Sequence, residues 1–596
     1  MMKGSVEMIE SASIFNAPVH IRLSDGQVAN QDDFIIFKHI STSGVRVNIK
    51  NVSGSAKRVK EIALFADAMP IHNAKVYGEG YHMLCQYRGS MSELSVIGAY
   101  GSDKSFFHLP DNPHDGDHNV VYYLLQLSEG GRHCLVAFAS CQKFLGKFRF
   151  SPGYLEAVMD TEDILIQPGA AWDMEELVVL TGDDLHGLYE QLASAICTNH
   201  PPMKSSWHKI PTGWCSYYCV GTFSPDEVYK NAEAMAKRIP ELEMIQIDAG
   251  LQTKNGDWDR WKFDDDLAVA CKKVREWGVD AGGYYSPFVV DNDSLLAKDH
   301  PDWLVRDEDG SPTNRLCHKE SWFVLDGSHP EARAHLRNLI RYMYDKCGLR
   351  YFKLDFLSYG ALPAGRRYDE TITSVEAYRF GMKAILEEVG DDSFVLACNA
   401  PFWPTLGLCH ANRTTNDIFR GWKQVGGNAL EQFYRNWQHQ RLWINDPDVI
   451  VLEKQTIVRT KDGLPSPRPC TLTDAEFEFH KAFAIACGGM ILSGDLLYNI
   501  SDGNINVLKK MMSQMGEAAA FDDDSFEIGR FKNKKLLCMF NWDESPKTIT
   551  ASLDGKAAIR DFFTDQELGV FENSVSQVIP SHGGKVLALA FCNGGR

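Results

Sequence analysis

The chain has 596 residues, of which 44% are hydrophobic and 23% are charged. That balance is typical of a packed globular protein of about three domains, and it excludes a largely disordered chain, a collagen-like fibre and a coiled coil. The formal net charge is -18, and so acidic a surface repels phosphate backbones, so nucleic acid is not expected as a partner.

The sequence offers no membrane or export signal. No uncharged apolar run of about 18 residues occurs, so no membrane-spanning helix is expected. The first residues, MMKGSVEMIESASIF, carry acids where a secretory signal peptide has an apolar core. The 15 cysteines contain no Cys-x-x-Cys pair, and they suit small buried residues of a reducing compartment. We therefore expect a cytoplasmic protein with no membrane association and no structural metal.

Residues 1–200 are predicted to form an N-terminal β-sandwich domain. Short segments rich in β-branched and aromatic residues, such as GVRVNIKNV and HNVVYYLLQL, alternate with clusters of Gly, Asn, Asp and Ser. That spacing is typical of a sandwich. Three prolines in HPPMKSSWHKIP mark the end of this domain.

Residues 201–510 are predicted to form a (β/α)8 TIM barrel. Short apolar runs such as EMIQIDAG and YFKLDFL alternate with segments of helical period. One helix is predicted to begin at Ser224, which is followed by Pro225 and two acids. A strand followed by a helix, repeated about eight times, favours a parallel sheet closed into a barrel.

Residues 511–596 are predicted to form a smaller C-terminal domain. Alternating apolar and polar residues return in FEIGRFKNKKLLCMFNWD and KVLALAFC, which indicates antiparallel β-structure. The fold class is therefore multidomain α/β and β, with a central TIM barrel between an N-terminal β-sandwich and a C-terminal antiparallel β-sandwich domain.

Polar residues end the predicted barrel strands, where barrel enzymes place their active sites. Carboxylates dominate, with aromatic residues around them and few cations. Aromatic faces stack on a pyranose ring and carboxylates accept hydrogen bonds from its hydroxyls, so this mixture favours a sugar site. The candidates are Trp214, Asp248, Trp258 (as an exposed aromatic beside the barrel mouth), Tyr285, Lys353, Asp355, Cys398, Arg413 and Asp417.

Each candidate also has an ordinary structural explanation. A single Asp after a strand is most often a helix N-cap or a loop acceptor, so Asp417 could cap a turn, and Cys398 could serve packing alone. The acids of NDPD, after the seventh strand, could form a turn. Lys353 and Asp355 are a stronger case, because they occupy alternate positions of an apolar strand and so face the barrel axis together. Burying such a pair without use would be costly.

Three segments in this order resemble glycoside hydrolase family 36, the α-galactosidase family, and most of all its shorter bacterial members: YFKLDFLSYGALPAGRR, FVLACNAPFWPTLG and NRTTNDI. The resemblance covers roughly residues 205–500. It implies a retaining double displacement through a covalent glycosyl-enzyme, with a small carbohydrate as substrate and no metal or organic cofactor. Such chemistry needs two carboxyl groups about 5–5.5 Å apart.

The resemblance also assigns roles to residues of this chain. Asp355 of KLDF would be the nucleophile and Asp417 of RTTND the acid/base. Lys353 would favour the ionised form of Asp355, and Asp417 would start protonated and later act as a base. The residues implied to bind the sugar are Asp248, Lys353, Cys398, Arg413 and Trp214, with Tyr285 and Trp258 as neighbouring aromatics.

This sequence departs from the family at three places that bear on substrate recognition. The family usually has two adjacent acids at the end of the second strand, which hold the 4- and 6-hydroxyls of galactose, and here Ala249 follows Asp248. Tyr285 stands where the family usually has Trp. The N-terminal domain offers Tyr81 and His82 of GEGYHML where the family has a Trp-bearing turn. Both catalytic carboxylates are retained, so the reaction type is predicted and the sugar stays open.

The predicted function is a retaining α-galactosidase that acts on small α-galactosides. The resemblance leaves open an α-N-acetylgalactosaminidase, a raffinose-synthase-like transglycosylase and a β-L-arabinopyranosidase, whose substrate lacks the 6-hydroxymethyl group. Two other classes stay in view. One is an inactive sugar-binding protein, and the other is a metal-dependent sugar isomerase, which would need several ligands converging on the strand ends. A homo-oligomer is also left open.

Overall fold

The computed structural model confirms the predicted fold class: an N-terminal antiparallel β-domain, a parallel eight-stranded barrel and C-terminal antiparallel sheets. One continuous cluster of buried apolar residues runs from the N-terminal sheet into the barrel, and the C-terminal part contributes a second, smaller cluster. The structure describes residues 11–98, 114–204, 206–207, 209–221, 224–263, 266–317, 320–363, 365–454 and 469–592.

The N-terminal strands join in one branched antiparallel sheet of fifteen strands. Alternate apolar residues of β3, such as Val45, Val47 and Ile49, are buried, as the period of two requires. Helix α1 (Ser11–Asn16) precedes the sheet and α2 (Leu185–Asn199) follows it. The strands are β1 (His20–Leu23), β2 (Phe34–Ile40), β3 (Gly44–Asn51), β4 (Lys57–Ala68), β5 (Lys75–Glu79), β6 (Gln86–Ser90), β7 (Leu94–Ile97), β8 (His114–Asp115), β9 (His118–Glu129), β10 (Arg132–Phe138), β11 (Leu145–Ser151), β12 (Tyr154–Asp160), β13 (Leu165–Ile166), β14 (Ala171–Asp173) and β15 (Leu177–Gly182).

The central strands are parallel and are buried along almost their whole length, which explains their continuous apolar sequences. A parallel bridge between Ile450 and Ser493 links the last two strands and closes the ring. The barrel strands are β16 (Thr212–Cys215), β17 (Met244–Ile247), β18 (Asp280–Tyr285), β22 (Tyr351–Leu354), β23 (Phe394–Ala397), β24 (Ala411–Arg413), β25 (Ile444–Asp446) and β26 (Ile491–Ser493). A small antiparallel sheet is inserted after the third of them, with strands β19 (Val289–Asp291), β20 (Asn314–Cys317) and β21 (Glu320–Val324).

Helices alternate with the barrel strands. The helix predicted from Ser224 is confirmed: it begins at Pro225 and carries two acids in its first turn. The helices of this part are α3 (Tyr217–Val220), α4 (Pro225–Arg238), α5 (Leu267–Arg275), α6 (Leu295–Asp299), α7 (Pro330–Asp345), α8 (Ser374–Leu386), α9 (Trp422–Arg435), α10 (Asp474–Cys487) and α11 (Asp502–Met512). Short 3-10 turns cover Gln31–Asp33, Pro301–Trp303, Leu357–Ala361, Trp403–Thr405 and Asn436–Gln438.

The C-terminal strands form a six-stranded sheet and a separate two-stranded ribbon. They are β27 (Ala520–Phe521), β28 (Ile528–Arg530), β29 (Leu536–Phe540), β30 (Lys547–Ser552), β31 (Ala557–Asp561), β32 (Glu567–Phe571), β33 (Ser574–Ile579) and β34 (Gly584–Phe591). The predicted boundary at 510/511 falls inside α11, and the domain limits themselves stay predictions. In the part of the chain that the structure describes, no helix is long and apolar enough to cross a membrane.

A buried ion pair joins the N-terminal domain to the barrel. Nη2 of Arg435, at the end of α9, lies 2.5 Å from Oε2 of Glu79, and neither side chain has any exposed surface. Nη1 of Arg435 also donates to the main-chain oxygens of Met83, at 2.5 Å, and Thr414, at 2.7 Å. One guanidinium therefore fixes the segment after β5 against the end of β24.

Arg435→Met should destabilise the protein strongly, because it leaves the Glu79 carboxylate buried without its cation. Breaking a buried pair on one side typically costs about 3–5 kcal/mol, and we expect that loss in the free energy of unfolding measured with urea. The control is Arg441→Met, which breaks an exposed pair with Glu190 and should cost about 1 kcal/mol or less. Equal losses in the two variants would contradict the role of the buried pair.

Candidate active site

Asp355 follows β22, and donors hold one of its two carboxylate oxygens. Oδ1 accepts the main-chain N–H of Phe356 at 2.7 Å and Nδ2 of Asn399 at 2.6 Å. Phe356 has a left-handed φ of 51°, an uncommon conformation for a bulky residue. Among the described residues, the contact of Oδ2 is Nζ of Lys353 at 3.5 Å, longer than a normal hydrogen bond. Oδ2 is therefore the oxygen that is left to react.

Lys353 binds two carboxylates in the barrel interior. Its Nζ donates to Oδ2 of Asp248 at 2.9 Å and lies 3.5 Å from Oδ2 of Asp355. Burial alone would lower the pKa of Lys353, but the Asp248 and Asp355 carboxylates raise it well above its usual range. Lys353 therefore stays charged, and it shares the interior with Asp355 as their alternate positions on the strand predicted.

Asp248, at the end of β17, is occupied by internal partners. Its Oδ2 accepts Nε2 of Gln246 at 2.6 Å in addition to Lys353, and its Oδ1 accepts the main-chain N–H of Ala249 at 2.9 Å. Its own N–H donates to Oγ of Ser216 at 3.0 Å. The end of this strand therefore presents one engaged carboxylate, and the next residue carries only a methyl group.

Asp417 lies in the loop after β24 and is the more exposed of the two predicted catalytic acids. Its side chain is 38% exposed, against 8% for Asp355. Its Oδ1 accepts Oη of Tyr218 at 3.0 Å and Nη2 of Arg413 at 2.9 Å. Burial favours a higher pKa for Asp417, but the charges of Arg413 and Lys353 and these two hydrogen bonds lower it. The role of Asp417 as a proton donor stays a prediction, and its surroundings in this structure favour the ionised form.

The guanidinium of Arg413 also binds Asp448, in the turn after β25. Nη2 of Arg413 lies 2.8 Å from Oδ2 of Asp448, and that oxygen accepts the main-chain N–H of Ile418 at 2.6 Å. Burial raises the pKa of Asp448 to about 7, with Asp417 and Asp446 adding to the rise and Arg413 opposing it. Asp448 therefore keeps a proton near neutral pH.

Cys398 is a buried thiol within range of Arg413 and of the charges of both predicted catalytic acids. Nη1 of Arg413 approaches its Sγ at 4.0 Å. Burial raises the pKa of the Cys398 thiol well above its usual range, and the charges of Asp355 and Asp417 both contribute. Both carboxylates are therefore close to one thiol. No group of three or more His, Cys, Asp or Glu side chains is arranged to hold a metal ion within the described residues.

Comparisons with known proteins find one matching family model and similarity to several α-galactosidases. Residues 249–393 match the model of the Melibiase family, a stretch that contains Asp355 and ends before Asp417. The chain is 22% identical over 244 residues to the α-galactosidase AgaA of Geobacillus stearothermophilus, which is 38% of this chain and 32% of that protein. The chain thus spans about a third or less of the curated relatives that it matches, 32% of one and 13% of another.

Solved structures share the fold over most of the chain. The crystal structure of the GH36 α-galactosidase AgaA has a TM-score of 0.65 at 12% identity, covering 97% of this chain and 90% of its own. The predicted resemblance to glycoside hydrolase family 36 is confirmed. The α-galactosidase TtGalA of Thermus thermophilus, in complex with stachyose, has a TM-score of 0.60 at 19% identity and covers 81% of this chain and 100% of its own. The GH27 β-L-arabinopyranosidase Abp of Geobacillus stearothermophilus has a TM-score of 0.53 at 17% identity and covers 65% and 98%.

The three aromatic residues predicted to contact the sugar are buried. Trp214 has no exposed surface, and its Nε1 donates to the main-chain oxygen of Asp495 at 2.7 Å. Trp258 was expected as an exposed rim residue, but it is 3% exposed and its ring meets that of Tyr285 edge-on at 4.9 Å. The exposed placement of Trp258 is therefore wrong, because its indole packs edge-on against the ring of Tyr285. All three rings are buried in the described structure.

The N-terminal domain reaches the site in a different way from the one that the family pattern suggested. Tyr81 and His82 have no exposed surface, and Oη of Tyr81 donates to the main-chain oxygen of Ser358 at 2.9 Å. Met83 accepts the main-chain N–H of Asn399 at its Sδ, at 3.2 Å. The segment therefore supports the loops that carry Asp355 and Asn399 and leaves the pocket to the barrel.

The sequence marked Asn399 and Asp448 as polar residues at strand ends, but neither was assigned a role in the site. Asn399 binds Asp355 and has a left-handed φ of 44°, and Asp448 binds Arg413. The polar Asn directly after Cys398 in LACNAP was the available signal for the first residue. For Asp448 the signal was an acid next to a proline after an apolar strand, which equally predicts a turn.

Asp448 should make the protein less stable as the pH rises. Its pKa is about 7 in the folded state and about 4 in an unfolded chain. The unfolded state therefore loses the proton first, and stability is lost between about pH 4 and pH 7. Relative to Asp448→Asn, the wild type should lose about 2–4 kcal/mol of unfolding free energy across that range, measured with urea.

The control for this measurement is Asp173→Asn, on the exposed side of β14. Its difference from the wild type should not vary with pH. A constant difference between the wild type and Asp448→Asn as well would show that Asp448 is ionised in the folded protein throughout the range.

Proposed function

We propose that the protein is a retaining glycoside hydrolase that acts on small α-galactosides through a covalent glycosyl-enzyme. The observation that carries this proposal is a pair of carboxylates, Asp355 and Asp417, whose charges both act on the buried Cys398 thiol. Each has one oxygen held by donors, and each leaves the other oxygen without a close donor among the described residues. The Melibiase match and the α-galactosidases among the relatives support the same reaction class.

In the first step, Oδ2 of Asp355 attacks the anomeric carbon. The N–H groups of Phe356 and Asn399 fix the other oxygen, so the carboxylate is aligned before the sugar arrives. Nζ of Lys353, 3.5 Å from Oδ2 of Asp355, places a buried positive charge beside the attacking carboxylate. The proton for the leaving oxygen comes from Asp417, and the bond to the aglycone breaks as the bond to Asp355 forms.

In the second step, water attacks the glycosyl-enzyme and Asp417 takes the proton of that water. The surroundings of Asp417 suit this step, because Arg413 and Lys353 lower its pKa and its side chain is partly exposed. In the first step Asp417 must instead hold a proton. A bound aglycone would cover Asp417 and displace its water, and such desolvation raises the pKa of a carboxyl group.

The residues at the end of β17 bear on which sugar the site accepts as its glycone. A galactoside presents a 6-hydroxymethyl group, and an acid in the second position would hold it. Here that position is Ala249, and the Asp248 carboxylate is engaged by Lys353, Gln246 and the N–H of Ala249. A β-L-arabinopyranoside has the same ring stereochemistry without that group, so it is the second candidate substrate, and the fold shared with the arabinopyranosidase Abp is consistent with it.

The test is a panel of aryl glycosides with the product configuration followed by proton NMR. The panel contains the α-galactoside, β-L-arabinopyranoside, α-N-acetylgalactosaminide and α-glucoside, each with and without a sugar-alcohol acceptor. We expect hydrolysis of the α-galactoside or the arabinopyranoside with retained configuration. Inverted product would exclude the covalent intermediate, transfer to the acceptor would indicate a transglycosylase, and binding without turnover would indicate a sugar-binding protein. The cytoplasmic location and a homo-oligomer stay predictions.

Asp355→Ala and Asp417→Ala should lose activity in different ways. Asp355→Ala should abolish hydrolysis of every substrate, because no nucleophile remains. Asp417→Ala should slow substrates with poor leaving groups by about 10²–10⁴-fold, the usual contribution of a general acid, and activated aryl glycosides far less. Steady-state rates on both kinds of leaving group check this, with circular dichroism as the control for folding. Near-normal turnover of Asp355→Ala, or equal losses on both leaving groups in Asp417→Ala, would refute the assignments.

Ala249→Asp should shift the preference toward galactosides. One added hydrogen bond to the 6-hydroxyl contributes about 0.5–1.5 kcal/mol, so the ratio of kcat/KM for galactoside over arabinopyranoside should rise by about 2- to 13-fold. Ala249→Asn is the matched control for size, and it should give the smaller rise because its hydrogen bond is not charge-assisted. An unchanged ratio in both variants would show that this position does not set the glycone.

A further inference from the structure

One guanidinium holds two carboxylates at the acid/base end of the site. Nη2 of Arg413 lies 2.9 Å from Oδ1 of Asp417 and 2.8 Å from Oδ2 of Asp448. Oδ2 of Asp448 also accepts the N–H of Ile418, the residue after Asp417, at 2.6 Å. Asp448 is 3% exposed and Arg413 is 1% exposed, so this arrangement is fixed inside the protein while Asp417 reaches outward.

We propose that Asp448 is a positioning residue for the acid/base step: it holds Arg413 and the Ile418 N–H around Asp417, and it stores the proton that Asp417 delivers. The proposal rests on the proposed function of Asp417 as the acid/base. It assigns a role to the turn after β25, where the sequence indicated only a turn.

The geometry of Asp448 supports its role in holding Arg413 and the Ile418 N–H around Asp417. Asp448 has a left-handed φ of 73°, and its N–H donates to Oδ1 of Asp446 at 3.0 Å. A non-glycine residue in that region costs free energy unless its surroundings hold it there. Here one oxygen of Asp448 binds both a side chain of β24 and the main chain of the loop that follows β24. The direction in which Asp417 points therefore depends on Asp448.

The charges around the two acids support a proton stored on Asp448. Arg413 can neutralise one carboxylate, and a second carboxyl group buried beside it keeps its proton. That second carboxyl is Asp448, whose pKa is raised by burial to about 7, while the pKa of Asp417 is lowered. The groups that act on Asp417 are Arg413, Lys353, Tyr218, Cys398 and Asp448, and those that act on Asp448 are Arg413, Asp417 and Asp446.

In the proposed reaction, Asp448 and Asp417 share one proton. One proton leaves the carboxyl of Asp448 and binds Oδ2 of Asp417, which leaves Asp448 ionised against Arg413. Asp417 then gives that proton to the glycosidic oxygen. When water attacks the glycosyl-enzyme, Asp417 takes one proton from it, and the pair again holds one proton. The pair therefore titrates as a unit, and its higher apparent pKa sets the alkaline limit of the first step.

Asp448→Asn separates charge from position. The amide oxygen of Asn can accept the same two hydrogen bonds from Arg413 and Ile418, but the amide holds no transferable proton. Asp417 then has the whole charge of Arg413 beside it and no neighbour to share a proton. For a substrate with a poor leaving group, the alkaline fall of kcat/KM lies at about pH 7 in the wild type. In Asp448→Asn we expect that fall to occur at a pH about one unit lower or more. At pH 7 kcat/KM should fall more than about tenfold, and activated aryl glycosides should lose less.

Asp495→Asn is the matched control. Asp495 is also a fully buried acid just after a barrel strand, and it binds one guanidinium, that of Arg420 at 2.6 Å, and two main-chain N–H groups, those of Leu452 at 2.6 Å and Glu453 at 3.3 Å. Its substitution removes a buried carboxyl group paired with an arginine that does not contact Asp417. Asp495→Asn should change the unfolding temperature without moving the alkaline limb. The same shift of the limb in both variants, or no shift in Asp448→Asn, would overturn the proposal.

A measurement without turnover separates this proposal from the proposed function. In protein labelled with 13C at the aspartate carboxyls, the Asp417 signal is identified by its loss in Asp417→Asn. In the wild type that signal should show a second titration step near about pH 7, which Asp448→Asn should abolish. If the wild type hydrolyses no glycoside and the second step is present, the proposed function fails and the coupling stands. If the second step is absent, the proposal about Asp448 fails whatever the activity.

Discussion

Buried carboxylates outnumber cations at the described end of the barrel, and the chemistry of the site depends on how two cations are shared. Each cation contacts one deep acid and one acid of the predicted catalytic pair. Lys353 is closer to the deep acid Asp248, at 2.9 Å, than to Asp355, at 3.5 Å. Arg413 is about equally close to Asp417 and Asp448. The weaker hold on Asp355 leaves its oxygen free to attack, whereas the even sharing at Arg413 places a proton on the deeper acid.

The N-terminal domain takes part in this arrangement through the main chain. The Glu79–Arg435 pair fixes the segment that contains Met83, and Sδ of Met83 accepts the N–H of Asn399. Asn399 in turn donates to Asp355. A continuous path of contacts therefore runs from a fully buried joint between the domains to the proposed nucleophile. Loss of the Glu79–Arg435 ion pair would lower the stability of the protein. It would also release Asn399, one of the two donors that align Asp355.

The sequence predicted features that depend on the order of residues within one strand. It did not predict contacts between residues on different loops and strands. Alternation along one strand correctly placed Lys353 beside Asp355, because a strand has a fixed period of two. The burial of Trp258, the support of Asn399 by Met83 and the binding of Arg413 by Asp448 all join residues on different elements. No local pattern encodes such contacts, which arise only when the barrel closes and the N-terminal domain docks.

The different burial of the two acids explains why two identical side chains would take different roles. Asp355 is 8% exposed at its side chain and is held by donors on one oxygen, so a bound sugar changes its surroundings little. Asp417 is 38% exposed, so an aglycone that covers it removes water and makes its ionised form less favourable. In the proposed mechanism, the proton would then move from Asp448 to the newly desolvated Asp417 as the leaving oxygen needs it. Once the aglycone had departed and water had returned, Asp417 would again act as a base.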